Sequence, residues 1–337
     1  MTGEVILRAD DVAKHFRIGK GPLRPGADLR AVDGVSLEVH AGETLGIVGE
    51  SGCGKSTLGR CVVRLTELTS GRVTFAGRDI STLSRRQLRP VRKELQLVFQ
   101  DPYTSLNPRR RVNDILSDPL EIHGYGDRRK RERRVRELLE VVGLNATHAD
   151  RFPHEFSGGQ RQRVGIARAL AMDPKVIVAD EPVSALDVSI QAQVLNLFHD
   201  LQDELGLTYV FIAHDLGVVR HVSTRIAVMY LGEVVELAPA EELYEQPAHP
   251  YTQALLAAAP EVDTGEDDDA REQVLLKGDI PTPLDKPSGC AFRTRCPYAQ
   301  DRCAEERPLL QVRPRGDAEG GTGEGGQRYV ACHFPLA

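Results

Sequence analysis

The sequence predicts an α/β fold: a parallel sheet with crossover helices, an antiparallel β-subdomain, an α-helical subdomain and a small cysteine-containing C-terminal extension. Three observations predict it. The largely apolar run Thr44 to Val48 ends at a glycine-rich loop that feeds a helix. Val176 to Ala179 and Tyr209 to Ala213 are two more apolar runs of strand length. The helical stretch Ser189 to Leu205 lies between those two, and strand, helix, strand in that order implies a parallel sheet with helices on its faces.

Taken in chain order, Val5 to Leu7, Gly34 to Val39 and Gly71 to Phe75 are short alternating runs between turns, as in an antiparallel sheet. Ser81 to Lys93 and Asp127 to Val142 read as helices dense in charge, the second with Leu138, Leu139, Val141 and Val142 toward its end. Arg163 to Ala171 is a further helix, with Val164, Ala167 and Ala171 on one stripe. Arg225 to Glu236 reads as a hairpin turning near Gly232. Beyond it the character changes. Glu261 to Asp269 is acidic and poor in large apolar residues, as a linker is; Pro281 to Pro308 holds prolines and three cysteines; Gly316 to Gly326 is glycine-rich and reads as a loop. No internal repeat is present. The expected division is a domain over 1–240, with a helical subdomain over about 101–162, and an extension over 241–337.

The 337 residues suffice for one full-sized domain and a smaller appendage. A net charge of −6 argues against a dedicated nucleic-acid binder, so no nucleic acid is expected as a partner. Arg85 to Lys93, Arg109 to Arg111 and Arg128 to Arg136 are basic, Glu261 to Glu272 acidic; these read as solvated faces and a linker. No apolar run approaches bilayer length, and Met1 to Asp10 lacks the basic-then-apolar pattern of an export signal. The expected location is therefore the cytoplasm, with any membrane contact made through partners.

Gly49-Glu50-Ser51-Gly52-Cys53-Gly54-Lys55-Ser56-Thr57 has the spacing G-x-x-x-x-G-K-[ST], placed after a strand and before a helix. Glycines let successive N–H groups turn inward around an anion, and the helix N-terminus adds partial positive charge. Lys55 reaches the β- and γ-phosphates of ATP, and the Ser56 hydroxyl ligates Mg²⁺. Cys53 reads as a small residue of this loop rather than a catalytic thiol. The predicted fold is thus of the P-loop NTPase type, with a RecA-like sheet. Lys175 to Pro182 places two carboxylates at the end of an apolar strand, where open α/β sheets bind ligands. Asp180 is placed to hold Mg²⁺, and Glu181 to polarise an attacking water, which separates a hydrolase from a nucleotide binder.

Further motifs carry a family resemblance. Phe156-Ser157-Gly158-Gly159-Gln160-Arg161-Gln162-Arg163 resembles the signature sequence of ABC-transporter ATPases, Val98-Phe99-Gln100 their Q-loop, Ser184-Ala185-Leu186-Asp187 their D-loop, and His214 within Ile212 to Asp215 their switch histidine. The resemblance spans about Val5 to Glu236. From the residues alone, Ser157 to Gly159 is a second glycine-rich helix start and so a second anion site. The resemblance implies a head-to-tail dimer in which Ser157, Gly158, Gly159 and Gln160 of one ATPase domain close over ATP held by the other. It also implies that Gln100 senses Mg²⁺ and the attacking water, that His214 contacts the γ-phosphate, and that Asp187 links the two sites. Phe16 stands where the family stacks an aromatic on adenine, although a lone aromatic is also an ordinary core residue.

Asn107-Pro108, Met229 to Glu236 and His249-Pro250-Tyr251-Thr252 with Leu255-Leu256 resemble the oligopeptide and dipeptide importer ATPases. Gln191 to Phe198 and Tyr209 to Leu216 resemble the second of the two ATPases those systems carry. The resemblance implies an ATPase that pairs with a related chain on two permease subunits at the cytoplasmic face of the cell (inner) membrane, fed by an extracellular peptide-binding protein. The same motor role for nickel, glutathione or another small solute is the alternative; a soluble ABC ATPase acting on ribosomes or DNA is a further one.

Cys290, Cys296, Cys303 and Cys332 form a late four-thiol set, with spacings longer than the C-x-x-C pairs usual for zinc. The importer resemblance implies a structural [4Fe–4S] cluster there. Zn²⁺, with His333 as a spare ligand, and four reduced unliganded cysteines are the alternatives.

Overall fold

In the computed structural model, residues 3–19, 26–258, 281–313 and 327–336 are described. The expected acidic linker Glu261 to Asp269 and glycine-rich loop Gly316 to Gly326 lie outside them.

The strands in chain order are β1 (Val5–Ile18), β2 (Ala27–His40), β3 (Thr44–Val48), β4 (Ser70–Phe75), β5 (Arg78–Asp79), β6 (Leu95–Val98), β7 (Val176–Asp180), β8 (Thr208–Ile212), β9 (Arg225–Tyr230), β10 (Glu233–Pro239), β11 (Gln311–Arg313) and β12 (Arg328–Val330). The helices are α1 (Lys55–Val62), α2 (Val91–Glu94), α3 (Pro102–Ser105), α4 (Val112–Ile122), α5 (Arg128–Val141), α6 (Gly158–Leu170), α7 (Val188–Leu205), α8 (Leu216–Val222), α9 (Ala240–Glu245), α10 (Pro250–Ala257) and α11 (Asp301–Glu305). The chain divides into two units, one of residues 1–39, 44–81 and 213–337, the other of residues 40–43 and 82–212.

In the first unit, β2-β1-β4-β5 form one sheet, with β1 antiparallel to β4 and β4 to β5. β3 pairs parallel with β9, and β10, β12 and β11 follow antiparallel. All five residues of β3 are buried, which is why its sequence is apolar throughout. β9 and β10 are the expected hairpin. Its two-residue turn, Leu231-Gly232, has positive φ at both positions, the geometry that matches the twist of paired strands. β12 lays Val330 opposite Glu236, so the end of the chain extends this sheet. The Glu236 carboxylate is fully buried there and fully engaged: it accepts from the amides of Ala248 and His249 at 3.0 and 2.9 Å, and from Arg328 Nη2 at 2.6 Å.

In the second unit, β8, β7 and β6 are neighbours and all parallel. Asp127 caps α5 by accepting from the Lys130 amide at 2.8 Å; Val135, Leu138 and Leu139 form its buried face, Arg134 is tucked against Asp173, and Arg128, Arg129, Arg133 and Arg136 are exposed. Val141, expected with those leucines, is 41 % exposed, one position off the stripe. The expected helix Ser81 to Lys93 is reduced to turns and the four residues of α2. Pro90 is the cause, since a proline removes a helical donor and disfavours helical backbone at the residue before it.

Candidate functional site

The glycine-rich loop leaves β3 at Gly49, whose φ is 150°, and enters α1 at Gly54, with φ 108°. A Cβ at Gly49 would stand 2.2 Å from the Met229 carbonyl oxygen, and one at Gly54 2.0 Å from that of Ala31. Only glycine fits either place, so the loop lies backbone to backbone against β9 of its own sheet and β2 of the other. The amides of Lys55, Ser56 and Thr57 open the first turn of α1 and have no acceptor in the preceding turn, the condition for an anion site. Lys55 is 4 % exposed, and its ammonium donates to the carbonyl oxygens of Gly49 at 2.7 Å and Glu50 at 3.1 Å. Ser51 and Gly52 are exposed, and Ser56 and Thr57 half-buried. Burial pushes the Cys53 thiol up and keeps it protonated, which makes it a packing residue of the loop. Two further residues of this unit keep exposed side chains: His214, just after β8, and Phe16, 38 % exposed with the Lys14 ammonium 5.0 Å from its ring centre. Phe16 is therefore not a core aromatic.

In the second unit, β7 ends at Asp180, 1 % exposed, and Glu181 follows with φ 44°. A non-glycine residue in that region carries strain of order 1–3 kcal/mol. Strain is held here because the Glu181 amide donates to the Ile212 carbonyl at 2.9 Å while Ser184 Oγ donates to the Glu181 carbonyl at 3.1 Å. Gln100 Nε2 donates to Glu181 Oε2 at 2.7 Å, a charge-assisted bond that joins the two residues expected to handle the attacking water.

Ser157 caps α6 with a reciprocal box: Gln160 N–H donates to Ser157 Oγ at 3.3 Å, and Ser157 N–H to Gln160 Oε1 at 3.1 Å. Gly158 and Gly159 form the first turn of α6, where the sequence suggested a second anion site. A Cβ at Gly159 would meet Ile190 Cγ2 at 2.4 Å, so the glycine lets α6 approach α7. Asp187, exposed, precedes α7, and Gln191 Nε2 holds the turn before it through the carbonyls of Val183 and Leu186 at 3.1 and 3.0 Å.

The late cysteines require a correction. Cys290, Cys296, Cys303 and Cys332 do line one cavity, with Phe292, Phe334 and His249. All four are free thiols, yet among the described residues no group of three or more His, Cys, Asp or Glu side chains is disposed to hold a metal ion. The expected [4Fe–4S] cluster, and zinc as its alternative, are overturned. Burial pushes the thiols of Cys290 and Cys332 up to about 11 and raises that of Cys296. His333, the spare ligand, has its Nε2 2.9 Å from the Glu306 carbonyl oxygen.

Sequence reasoning missed the residues that grip the phosphate loop from behind. The Glu50 amide donates to the Tyr251 hydroxyl at 2.9 Å, and the Glu50 carboxylate takes a bidentate pair of bonds from Arg295 at 2.7 and 2.9 Å. His249 caps α10 by accepting the Tyr251 amide at 3.0 Å. The run His249-Pro250-Tyr251-Thr252 was legible as a resemblance; its physical role needed the fold.

A glycine-cradled anion loop, a strained glutamate after a strand-end aspartate, and a second capped glycine-rich helix together define a P-loop ATPase of the ABC cassette fold. Residues 32–184 match the ABC transporter family, and residues 235–303 the C-terminal region of oligopeptide/dipeptide transporters. The oligopeptide transport ATP-binding protein AppF of Bacillus subtilis (strain 168) is 55 % identical over 98 % of both chains. The di/tripeptide transport ATP-binding protein DppF of Pseudomonas aeruginosa (strain UCBPP-PA14) is 48 % identical, again over 98 % of both. Among solved structures, the ATP-binding cassette MJ0796, a dimer in a post-hydrolysis state bound to ADP and Pi, is 31 % identical with a TM-score of 0.63, covering 70 % of this chain and 99 % of that one. The chain belongs to the ABC-transporter ATPases, in the branch that carries the oligopeptide/dipeptide-type C-terminal region. It is an ATP-binding and ATP-hydrolysing protein. Among the described residues no helix is long and apolar enough to cross a membrane.

Proposed function

We propose that this chain is the ATP-hydrolysing motor of an importer of di- and oligopeptides. The observation that carries the reading is the joining of an ABC region to a peptide-transporter C-terminal region in one chain. Residues 1–240, with the helical part at about 101–162, serve as the ATPase domain, and 241–337 as the importer-type extension. The backbone of Gly49 to Thr57 and Lys55 bind the β- and γ-phosphates. Ser56 and Asp180 are the oxygen donors suited to Mg²⁺, which when bound spreads the charge of the β- and γ-phosphate oxygens. Glu181 orients and deprotonates the attacking water, with Gln100 fixing its carboxylate and His214 contacting the γ-phosphate. Phe16 stacks on adenine. Ser157, Gly158, Gly159 and Gln160 face the nucleotide of a second, related ATPase in a head-to-tail pair, and Asp187 links the two sites. The pair docks on two permease subunits at the cytoplasmic face of the cell (inner) membrane, supplied by an extracellular peptide-binding protein.

The test is transport by the assembled complex. The chain, its companion ATPase and the co-purified permeases are placed in proteoliposomes with a peptide-binding protein and labelled di- and tetrapeptides. ATP-dependent peptide uptake that Lys55→Ala abolishes is the expected result. ATP-dependent uptake of nickel or glutathione with none of peptide would replace the substrate assignment, and recovery of ribosomes without permeases would replace the transport reading.

A further inference from the structure

Glu50 is an anomaly of charge. It places a carboxylate inside a loop whose work is to bind polyanionic phosphate, where every negative charge opposes the ligand. The fold answers it with a buried cation. Arg295 is 8 % exposed, forks onto both oxygens of Glu50, and lies 6.0 Å from the Tyr230 ring centre. Tyr230, Tyr251 and Phe292 are mutually packed aromatics, all at most 1 % exposed, so the guanidinium has a rigid backing. The same C-terminal segment reaches the loop a second way. The Gly232 amide donates to the Cys53 carbonyl at 2.7 Å, and the Asp33 amide donates to the Gly232 carbonyl at 2.9 Å. Lys286 bridges the carboxylates of Asp33 and Glu233 at 2.9 and 3.3 Å, and Arg307 Nη2 donates to the Asp33 carbonyl at 2.9 Å. Arg295 thus holds the loop directly at Glu50, while Lys286 and Arg307 hold Asp33 and Glu233 beside the Gly232 contact with Cys53.

We propose that Arg295 is a positioning residue for nucleotide binding: it neutralises and orients Glu50, so that the C-terminal extension sets the affinity of the phosphate loop for ATP. The inference rests on ATP being bound at Gly49 to Thr57. It assigns the extension a role in the ATPase cycle itself. A planar bidentate fork is what this role needs, because it cancels the charge and fixes the plane of the carboxylate together.

The experiment uses the full-length chain and MgATP titration with wild type, R295A, R295K and the double variant E50Q/R295A, with melting curves as a folding control. R295A is expected to weaken MgATP binding about tenfold, equivalent to 1.4 kcal/mol. In steady-state hydrolysis it raises KM by that factor and leaves kcat within about twofold, the pattern of lost uniform binding. R295K, which keeps the charge and loses the fork, falls between wild type and R295A. E50Q/R295A recovers to within about threefold of wild type, because the uncancelled carboxylate is gone; a brace that acted by packing alone would not be rescued. R295A with wild-type affinity, or a double variant as weak as R295A, overturns the inference. Should R295A fail to fold, R295K and the double variant still decide it: wild-type affinity in R295K, or loss beyond threefold in a folded double variant, overturns it. A wild-type chain that binds no MgATP overturns instead the reading beneath it.

Discussion

His249 is fully buried, 1 % exposed, between the Glu236 ion pair and the tyrosine that holds the phosphate loop. Burial drives its pKa down from 6.5 to about 4, against a smaller upward pull from the Glu236 charge. The folded imidazole is therefore neutral, and its Nδ1 is free to accept the Tyr251 amide. A depressed histidine pKa makes stability fall with acid, because the unfolded chain takes up a proton that the folded chain refuses. The loss begins as pH drops below 6.5 and is complete below about 4. At about 1.36 kcal/mol per unit it reaches roughly 3 kcal/mol in full, and about 2 kcal/mol at about pH 5. His249→Asn removes the titration and keeps an acceptor at the helix cap. Urea unfolding of wild type and variant at about pH 7.5 and 5 should show the variant gaining about 2 kcal/mol relative to wild type on acidification. Stability curves that run parallel between those two pH values would refute the buried neutral imidazole.

Two other perturbations test the same region. Tyr251→Phe removes the hydroxyl that accepts the Glu50 amide at 2.9 Å; a loss of about 1–3 kcal/mol in urea unfolding is expected, and an unchanged midpoint would show the bond to be dispensable. The thiols of Cys290 and Cys332, raised by burial from 9.0 to about 11, should be alkylated by iodoacetamide about a hundredfold more slowly than an unperturbed cysteine at about pH 8, as followed by mass spectrometry. Labelling at the rate of a free thiol would contradict the buried neutral cavity.

Sequence made the chemistry-bearing ends of the strands legible, because each lies beside a continuous apolar run. Thr44 to Val48 pointed to Gly49, Val176 to Ala179 to Asp180 and Glu181, and Tyr209 to Ala213 to His214; periodicity of two and of 3.6 residues accounts for those elements. What it left hidden depends on contacts far apart in the chain. Arg295 meets Glu50 across 245 residues, and Lys286 meets Asp33 across 253, with no local pattern to announce either pair. The cysteines misled for a related reason. Count and clustering put four thiols around one cavity, but the mutual geometry that decides ligation is not encoded by sequence spacing, and among the described residues no metal-binding set forms. At the start of α6 the glycine pattern suggested an anion site, but not that Ser157 and Gln160 would close a reciprocal capping box there.

The central claim is that Glu181, strained at the end of β7 and held by Gln100 at 2.7 Å, activates water against ATP bound to the phosphate loop. Quenched single-turnover hydrolysis by Glu181→Gln in the assembled complex tests it most directly. The account predicts that the variant binds MgATP as wild type does and remains a nucleotide-bound closed dimer, with hydrolysis slowed by about 10²-fold or more. Phosphate release from the variant at the wild-type rate would contradict it.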